Sequence, residues 1–380
     1  MSGPFEPGAP WARARRALGL GLLLVLAACT PQPQGPPPRT PAQIRAQLLH
    51  LLPARTPDRA GWAADMQAAL TALEITGNDE NLCAVIAVTE QESGFSADPT
   101  VPGLGRIARA EIDRRAEAKH VPKFLVRAAF SFDSGDGRTW EQRIAAVHTE
   151  RELSELFEAM IAAVPLGRRL LADANPVHTA GPMQVGIPFA EAHARRAPYP
   201  YPVAGSIRHE VFTRRGGLYF GTAHLLGYPT SYNRKLYRFA DYNAGFYASR
   251  NAAFQNAVAI ASGIALVLDG DLVAYGKRGT SAAGIGTTEA AVQALSTQLD
   301  LTDEQIHRQL RDGDRSAFER SELYARVFEL AERSAGKPLP RAMVPHIALK
   351  SPKITRNLTT EWFATRVNGR YQRCMARAGS

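Results

Sequence analysis

The sequence predicts a mainly α-helical protein with a minor β component. Apolar residues recur at three- and four-residue spacing along most of the chain, which is the period of a helix with one buried face. Threonine, asparagine and proline stand where such stretches begin, and glycine where several of them end, as helix caps require. A pattern typical of a hairpin follows Gly263, so strands are expected to contribute little to the fold.

The N-terminus has the composition of a signal peptide. Arg13, Arg15 and Arg16 precede an apolar run of eleven residues, from Leu18 to Ala28. A helix that spans a bilayer needs about 20 apolar residues, so this run is too short. Its length is that of a signal-peptide core, and residues 1–28 are therefore expected to be removed.

The apolar run ends in Leu26-Ala27-Ala28-Cys29, which resembles the bacterial lipobox. The resemblance implies cleavage before Cys29 and acylation of that cysteine, and hence a membrane anchor. Because residue 30 is threonine and not aspartate, the sorting rule of that family favours the inner leaflet of the outer membrane, facing the periplasm. The alternative is an ordinary signal peptide with an incidental cysteine.

Residues 29–55 are expected to form a tether. The stretch from Thr30 to Pro41 holds six prolines and no large apolar residue, so it behaves as an extended spacer. The folded part is expected from Thr56 onward. The net charge of +9 suits an anionic partner such as nucleic acid, lipid head groups or the acidic peptides of peptidoglycan, and the predicted periplasmic location argues against nucleic acid.

The first helices are marked by their caps. Thr56-Pro57-Asp58 predicts one helix start, and a second helix is expected from Asn78 or Asp79 to a stop at Gly94. Glu90 and Glu92 lie in the last turn of that second helix, on opposite flanks of its apolar stripe. Partial burial raises the pKa of a carboxyl group, but periodicity does not choose between the two glutamates.

The rest of the chain is predicted to be helical with one exception. Helices are expected at 108–118, 149–163, 188–196, 216–226 and 237–242, from Thr288 and Thr302, and at 315–333. The exception is a hairpin in which Asp269-Gly270 joins strands 265–268 and 271–275. Residues 263–380 are expected to form a separate, mostly helical C-terminal extension.

Two cysteines remain if Cys29 is acylated. In an oxidising compartment Cys83 and Cys374 tend to pair, which would tie the C-terminus to the first core helix. The alternative is two unpaired thiols, with Cys83 buried on an apolar helix face. Neither cysteine has a partner at CxxC or CxxH spacing, and His148 and His178 have none at ligand spacing, so no metal site is predicted.

Three short motifs follow one another in the chain. They are Glu92-Ser93-Gly94-Phe95, Ala180-Gly181-Pro182-Met183-Gln184-Val185 and Ala240-Asp241-Tyr242-Asn243-Ala244-Gly245. In this order they resemble the lysozyme-like lytic transglycosylases, which implies such a domain over residues 56–262. Residues 99–175 would then be a helical insertion. Pro182 and Asp241 depart from the leucine and alanine that are usual in the family.

The resemblance implies cleavage of the β-1,4 bond between MurNAc and GlcNAc in peptidoglycan, with no cofactor. Glu92 would protonate the leaving oxygen and then, ionised, deprotonate the 6-hydroxyl of the sugar, which closes a 1,6-anhydro ring. Tyr242 would orient Glu92 or the substrate, and Asn243 would fix its turn. Met183 and Gln184 would line the cleft, and Ser93 would steady the helix end.

Two other functions are compatible with the same residues. Asp98 could serve as the second carboxylate of a hydrolytic muramidase, since most glycosidases use two. Alternatively, the protein is a non-catalytic glycan-binding lipoprotein whose insertion and C-terminal extension dock an envelope protein partner. In that case Glu92 would be a solvated residue at a helix end, Met183 a core residue, and Tyr242 and Asn243 a helix cap.

Overall fold

The computed structural model describes residues 38–165, 169, 174–274, 285–349 and 357–379. The chain divides into a compact unit, Thr40–Ser380, and the N-terminal stretch Met1–Arg39, of which only the last two residues are described. The predicted signal peptide and Cys29 lie outside the described residues. No helix within the described ranges is both long and apolar enough to cross a membrane.

Helices dominate the described residues, as predicted. In chain order they are α1 Pro41–Leu51, α2 Arg59–Ala72, α3 Asp79–Glu92, α4 Leu104–Ala118, α5 Lys123–Ser131, α6 Trp140–Ala145, α7 Glu150–Ala162, α8 Ile187–Ala194, α9 Ile207–Val211, α10 Arg214–Leu226, α11 Lys235–Ala244, α12 Ala248–Ser262, α13 Thr287–Gln293, α14 Ser296–Leu299, α15 Asp303–Leu310, α16 Glu322–Ala335 and α17 Thr360–Ala378. A 3-10 helix covers Ser316–Arg320. Two antiparallel pairs complete the fold: β1 Thr179–Ala180 with β2 Val185–Gly186, and β3 Ala348–Leu349 with β4 Leu358–Thr359.

The tether predicted for residues 29–55 is wrong over its second half, because α1 is part of the folded unit. Thr40 caps this helix in a reciprocal capping box with Gln43. Ile44, Leu48 and Leu51 follow at helical spacing and are buried where α1 packs against α2 and the C-terminal helix α17. The proline-rich composition of the preceding residues predicts a spacer, but the residues that follow form an amphipathic helix.

The first core is formed by α1, α2, α3, α10, α11 and α17. Helix α3 lies at its centre, where every residue from Leu82 to Thr89 is buried. The C-terminal helix α17 packs along both α3 and α11, and Cys83 forms a disulfide with Cys374 across a Cα separation of 5.5 Å. The boundary expected at residue 263 therefore does not separate the last helix from the helix that carries Glu92.

Two further cores flank the first. The stretch 99–175 is helical in its described part, and α4 to α7 share a core with β1, β2, α8 and α10. The third core joins α12 to the helices α13 to α16.

The predicted hairpin is wrong, because residues 265–274 form no strand; Tyr275, at its end, lies outside the described residues. Side chains of α12 instead bind the backbone of the predicted turn and of the first residue after it. Gln255 accepts from the amide of Gly270 and donates to the carbonyl of Asp271, and Asn251 donates to the carbonyl of Gly270.

Two helix starts differ from their predictions. Helix α2 begins at Arg59 and not at Pro57. The side chain of Asp58, and not that of Thr56, is its N-cap and accepts a hydrogen bond from the amide of Gly61. The helix expected at 315–333 is interrupted at Ser321, which caps α16 after the 3-10 turn. Asp58 and Ser321 are residue types that are favoured as N-caps. In each case the helix is capped by a residue a few positions after the predicted one.

Candidate active site

Helix α3 holds Glu92 at its last position. The helix starts at Asn78, whose side chain accepts a hydrogen bond from the amide of Asn81, and its buried stripe fixes it in the first core. It ends because Gly94 adopts a positive φ of 59°, which suits glycine. Ser93 is the C-cap, and its hydroxyl donates to the carbonyl of Thr89 at 3.1 Å.

Burial raises the pKa of Glu92 to about 8. Glu92 as a whole residue is half-buried. At neutral pH it keeps its proton, as a general acid requires. The phenol of Tyr242 is affected as well: burial and the negative charge of Glu92 both raise its pKa, so the two groups interact electrostatically.

The second motif forms the turn between β1 and β2. Gly181 has a φ of 74°, and a Cβ atom there would stand 2.1 Å from the carbonyl oxygen of Val211, so only glycine fits. Met183 is fully buried and packs on Gly221 of α10. The turn is therefore wedged between α9 and α10 and does not stand free on the surface.

Gln184 closes this turn in a left-handed conformation, with a φ of 50°. Its side-chain amide donates to the carbonyl of Gly181 at 3.3 Å and accepts from the hydroxyl of Thr179 at 3.1 Å. The side chain is thus fixed across the turn and remains half-buried.

Tyr242 joins the third motif to the second. Its hydroxyl donates to the carbonyl of Met183 at 2.6 Å. Asn243, next to it, is exposed, and its side-chain oxygen accepts from the hydroxyl of Thr360 at 2.9 Å, at the start of α17. The structure thus brings Glu92, Met183 and Tyr242 together, whereas Asn243 connects α11 to the C-terminal helix.

An aromatic cluster, Phe189, His224 and Phe246, contacts Tyr242 through His224 and was missed by sequence reasoning. The ring centroid of His224 lies 5.0 Å from that of Tyr242 and 4.7 Å from those of Phe189 and Phe246. All three side chains are partly exposed. Phe246 directly follows the third motif, which is the one sequence signal that could have indicated it.

The His224 ring is neutral in this cluster. Burial lowers its pKa to about 4. Its Nδ1 atom is buried and has no hydrogen-bond partner among the described residues. The wall beside Tyr242 is therefore uncharged and largely apolar, which suits the face of a sugar ring better than it suits an ion.

The other two candidate carboxylates are held by arginines. Glu90 lies 3.7 Å from Arg370 of α17, and Asp98 lies 2.7 Å from Arg151 of α7. Each of these two carboxylates thus has an ion-pair partner. The pKa of Glu92, in contrast, is raised by burial, and no cation lowers it. Glu90 is therefore a link between α3 and α17 in this structure.

Asp241, which stands where the motif usually has alanine, is fully buried. It accepts hydrogen bonds from the hydroxyls of Tyr228 and Tyr232, at 3.1 and 2.7 Å, and from the amide of Ser249 at 2.7 Å. The carboxyl group thereby fastens the end of α11 to the start of α12. The departure from the motif is explained by this local network, since buried polar groups must be hydrogen-bonded.

Comparisons with known proteins place the chain among relatives. The model of a family described as "Protein of unknown function (DUF1615)" matches residues 55–377. The "Uncharacterized protein YaiW" of Escherichia coli (strain K12) is 49% identical over 361 residues, which is 94% of this chain and 97% of that protein. No solved structure matches the chain.

Proposed function

The chain belongs to the DUF1615 family, and we propose that it is a lytic transglycosylase that cleaves the glycan strands of peptidoglycan with Glu92 as acid and base. One observation carries the proposal. Glu92, whose pKa is raised to about 8, acts electrostatically on Tyr242, and the Tyr242 hydroxyl donates a hydrogen bond to the carbonyl of Met183. Tyr242 thus links residues of the other two motifs, one of which carries the protonated carboxyl group.

The first step is proton donation. Near pH 7 the Glu92 carboxyl group carries its proton and gives it to the glycosidic oxygen, the bond from that oxygen to the anomeric carbon breaks, and the leaving sugar departs as an alcohol. The positive charge that develops on the sugar lies next to the newly ionised Glu92, which stabilises it electrostatically.

The second step returns the proton. The Glu92 carboxylate takes the proton of the sugar's 6-hydroxyl, and the resulting oxygen attacks the anomeric carbon to close the 1,6-anhydro ring. Glu92 ends protonated, as it began, so one carboxyl group suffices. That matches a site in which Asp98, the candidate second carboxylate, is ion-paired with Arg151.

The neighbours of Glu92 would position the carboxyl group and the substrate and set the polarity of the site. The Tyr242 hydroxyl donates its proton to the carbonyl of Met183, so the phenol oxygen can accept a hydrogen bond from Glu92 or from a substrate hydroxyl. Gln184 and the aromatic cluster would line the cleft. We also propose that Cys29 is acylated and holds the domain in the outer membrane, within reach of the glycan strands.

Digestion of purified sacculi tests the proposal. The wild-type chain is expected to release muropeptides with 1,6-anhydro ends, which mass spectrometry identifies by the absence of one water. Glu92→Gln is expected to lower the initial rate by about 100-fold or more, because general acid–base catalysis is lost. The rate of the wild type should fall as the pH rises above 8, where Glu92 loses its proton.

Glu90→Gln is the matched control, since it removes a carboxyl group from the same helical turn and should leave the rate largely intact. Products with reducing ends, lost in Asp98→Asn, would establish the muramidase in place of the transglycosylase. Binding of sacculi without any released product would overturn both enzymatic assignments and leave a glycan-binding protein.

A further inference from the structure

Helix α5 carries a second apolar face that nothing covers in the described part of the chain. This outer face consists of Val121, Phe124, Leu125, Ala128 and Phe132. The relative exposures of Phe124 and Phe132 are both 67%, and those of Leu125 and Val121 are 49% and 38%. These are large values for such side chains, and they occur side by side rather than scattered.

Phe124, Leu125 and Ala128 lie on one side of the helix, because they recur at three- and four-residue intervals. Val121 precedes the helix and Phe132 is its C-cap, so these two side chains adjoin its ends. Val126 and Phe130 lie on the other side and are buried in the core of the insertion. Packing to the rest of the molecule thus accounts for one apolar side of α5 and leaves the outer face without a role.

The charged side chains of α5 itself have a single sign. Lys123 and Arg127 lie on the helix and Lys119 precedes it, whereas the nearest acids, Glu117 and Asp133, lie beyond its two ends. The described structure gives none of these three cations an ion-pair partner. An apolar stripe on a helix whose charged residues are all cations is the pattern of a helix that lies in the interface of an anionic bilayer, with its aromatic side chains at the acyl boundary.

We propose that the outer face of α5 docks on a membrane surface that bears anionic head groups, with Phe124 and Phe132 entering the bilayer interface. Lys119, Lys123 and Arg127 would contact the phosphates. A second copy of this chain fits the face less well, because pairing two such faces would bring six unpaired cations together. The proposal is independent of the chemistry at Glu92.

Vesicle flotation tests the proposal on the full chain with Cys29→Ala, so that acylation does not dominate binding. Vesicles of phosphatidylethanolamine with about one-third phosphatidylglycerol are expected to carry the protein, and vesicles of neutral phosphatidylcholine to carry much less. The double variant Phe124→Ser/Phe132→Ser should partition about tenfold more weakly or worse. Raising the salt concentration should weaken binding of the parent chain.

The matched control is Val203→Ser/Val267→Ser, which removes two apolar side chains that are 46% and 65% exposed elsewhere on the surface. It should bind as the parent does. Thermal unfolding of both double variants shows that they are folded, as exposed substitutions should be. Equal flotation of the two double variants, or equal binding to neutral vesicles, overturns the proposal. Loss of a dimer in Phe124→Ser/Phe132→Ser, seen by gel filtration, would assign the face to a second copy instead.

Discussion

Glu92 lowers the stability of the fold whenever it is ionised. Its carboxyl group is desolvated at the end of a buried helix, and its pKa rises from 4.5 to about 8 for that reason. A folded state that binds a proton more tightly than the unfolded state loses stability as the pH rises. For Glu92 the window runs from about pH 4.5, where the unfolded group begins to ionise, to about pH 8.

We therefore expect Glu92→Gln to stabilise the protein in a pH-dependent way. Because glutamine does not ionise, the gain should be near zero at pH 4 and on the order of 4 kcal/mol at pH 8. Urea unfolding at several pH values measures it. A Glu92→Gln curve that is parallel to that of the wild type would show that Glu92 is ordinarily solvated.

The β1–β2 turn has to hold its shape for Met183 to meet Tyr242. Gly181→Ala should destabilise the fold by about 2–4 kcal/mol, because its methyl group collides with the Val211 backbone in addition to the cost of a positive φ. Gly263→Ala is the control, since Gly263 has a similar φ of 70° with open space around it, and it should cost only about 1 kcal/mol. Chemical denaturation compares the two; equal losses would mean that the turn yields and is not wedged.

Among the elements, those with strong local signals were predictable. Helix α3 lies between Asn78 and Gly94 as expected, and the capping box of Thr302 with Gln305 opens α15. The hairpin predicted at 265–275 does not form. The backbone groups of Gly270 and Asp271 are hydrogen-bonded to the side chains of Gln255 and Asn251, which lie outside the hairpin sequence. Local alternation cannot reveal such a competitor.

The motifs indicated which residues would be neighbours in the candidate site, whose role stays a prediction. Tyr242 is hydrogen-bonded to Met183 and interacts electrostatically with Glu92. His224 carries no motif, and its contact with Tyr242 depends on how α10 and α11 pack. The spacing of residues along a helix predicts which of them share a face, but it does not predict which other helix packs against that face.

For the whole molecule, the C-terminal helix determines how the candidate site is held. Helix α17 touches the helix of Glu92 through Arg370 and Glu90, and it touches the helix of Tyr242 through Thr360 and Asn243. Both contacts flank the place where Glu92 and Tyr242 meet. Helix α17 thus supports a site whose motifs end at Gly245.

The disulfide makes that support covalent. Cys83 and Cys374 are 291 positions apart, so the bridge restricts nearly the whole unfolded chain. We expect Cys83→Ala/Cys374→Ala to lower the free energy of unfolding by about 3–5 kcal/mol, measured by urea denaturation without reductant. Dithiothreitol should lower the stability of the wild type to that of the double variant and leave the variant unchanged.

Limited proteolysis shows whether loss of the disulfide destabilises the whole folded unit or only the attachment of α17. If α17 belongs to the first core, as its buried side chains indicate, the double variant should release α17 only when the whole unit unfolds, since Phe363 and Val367 remain packed without the bridge. Cleavage before Thr360 under native conditions, with the rest of the chain intact, would instead show that the disulfide alone keeps the helix in place. In that case the support of Glu92 and Tyr242 by α17 would depend on the oxidising compartment that the lipobox predicts.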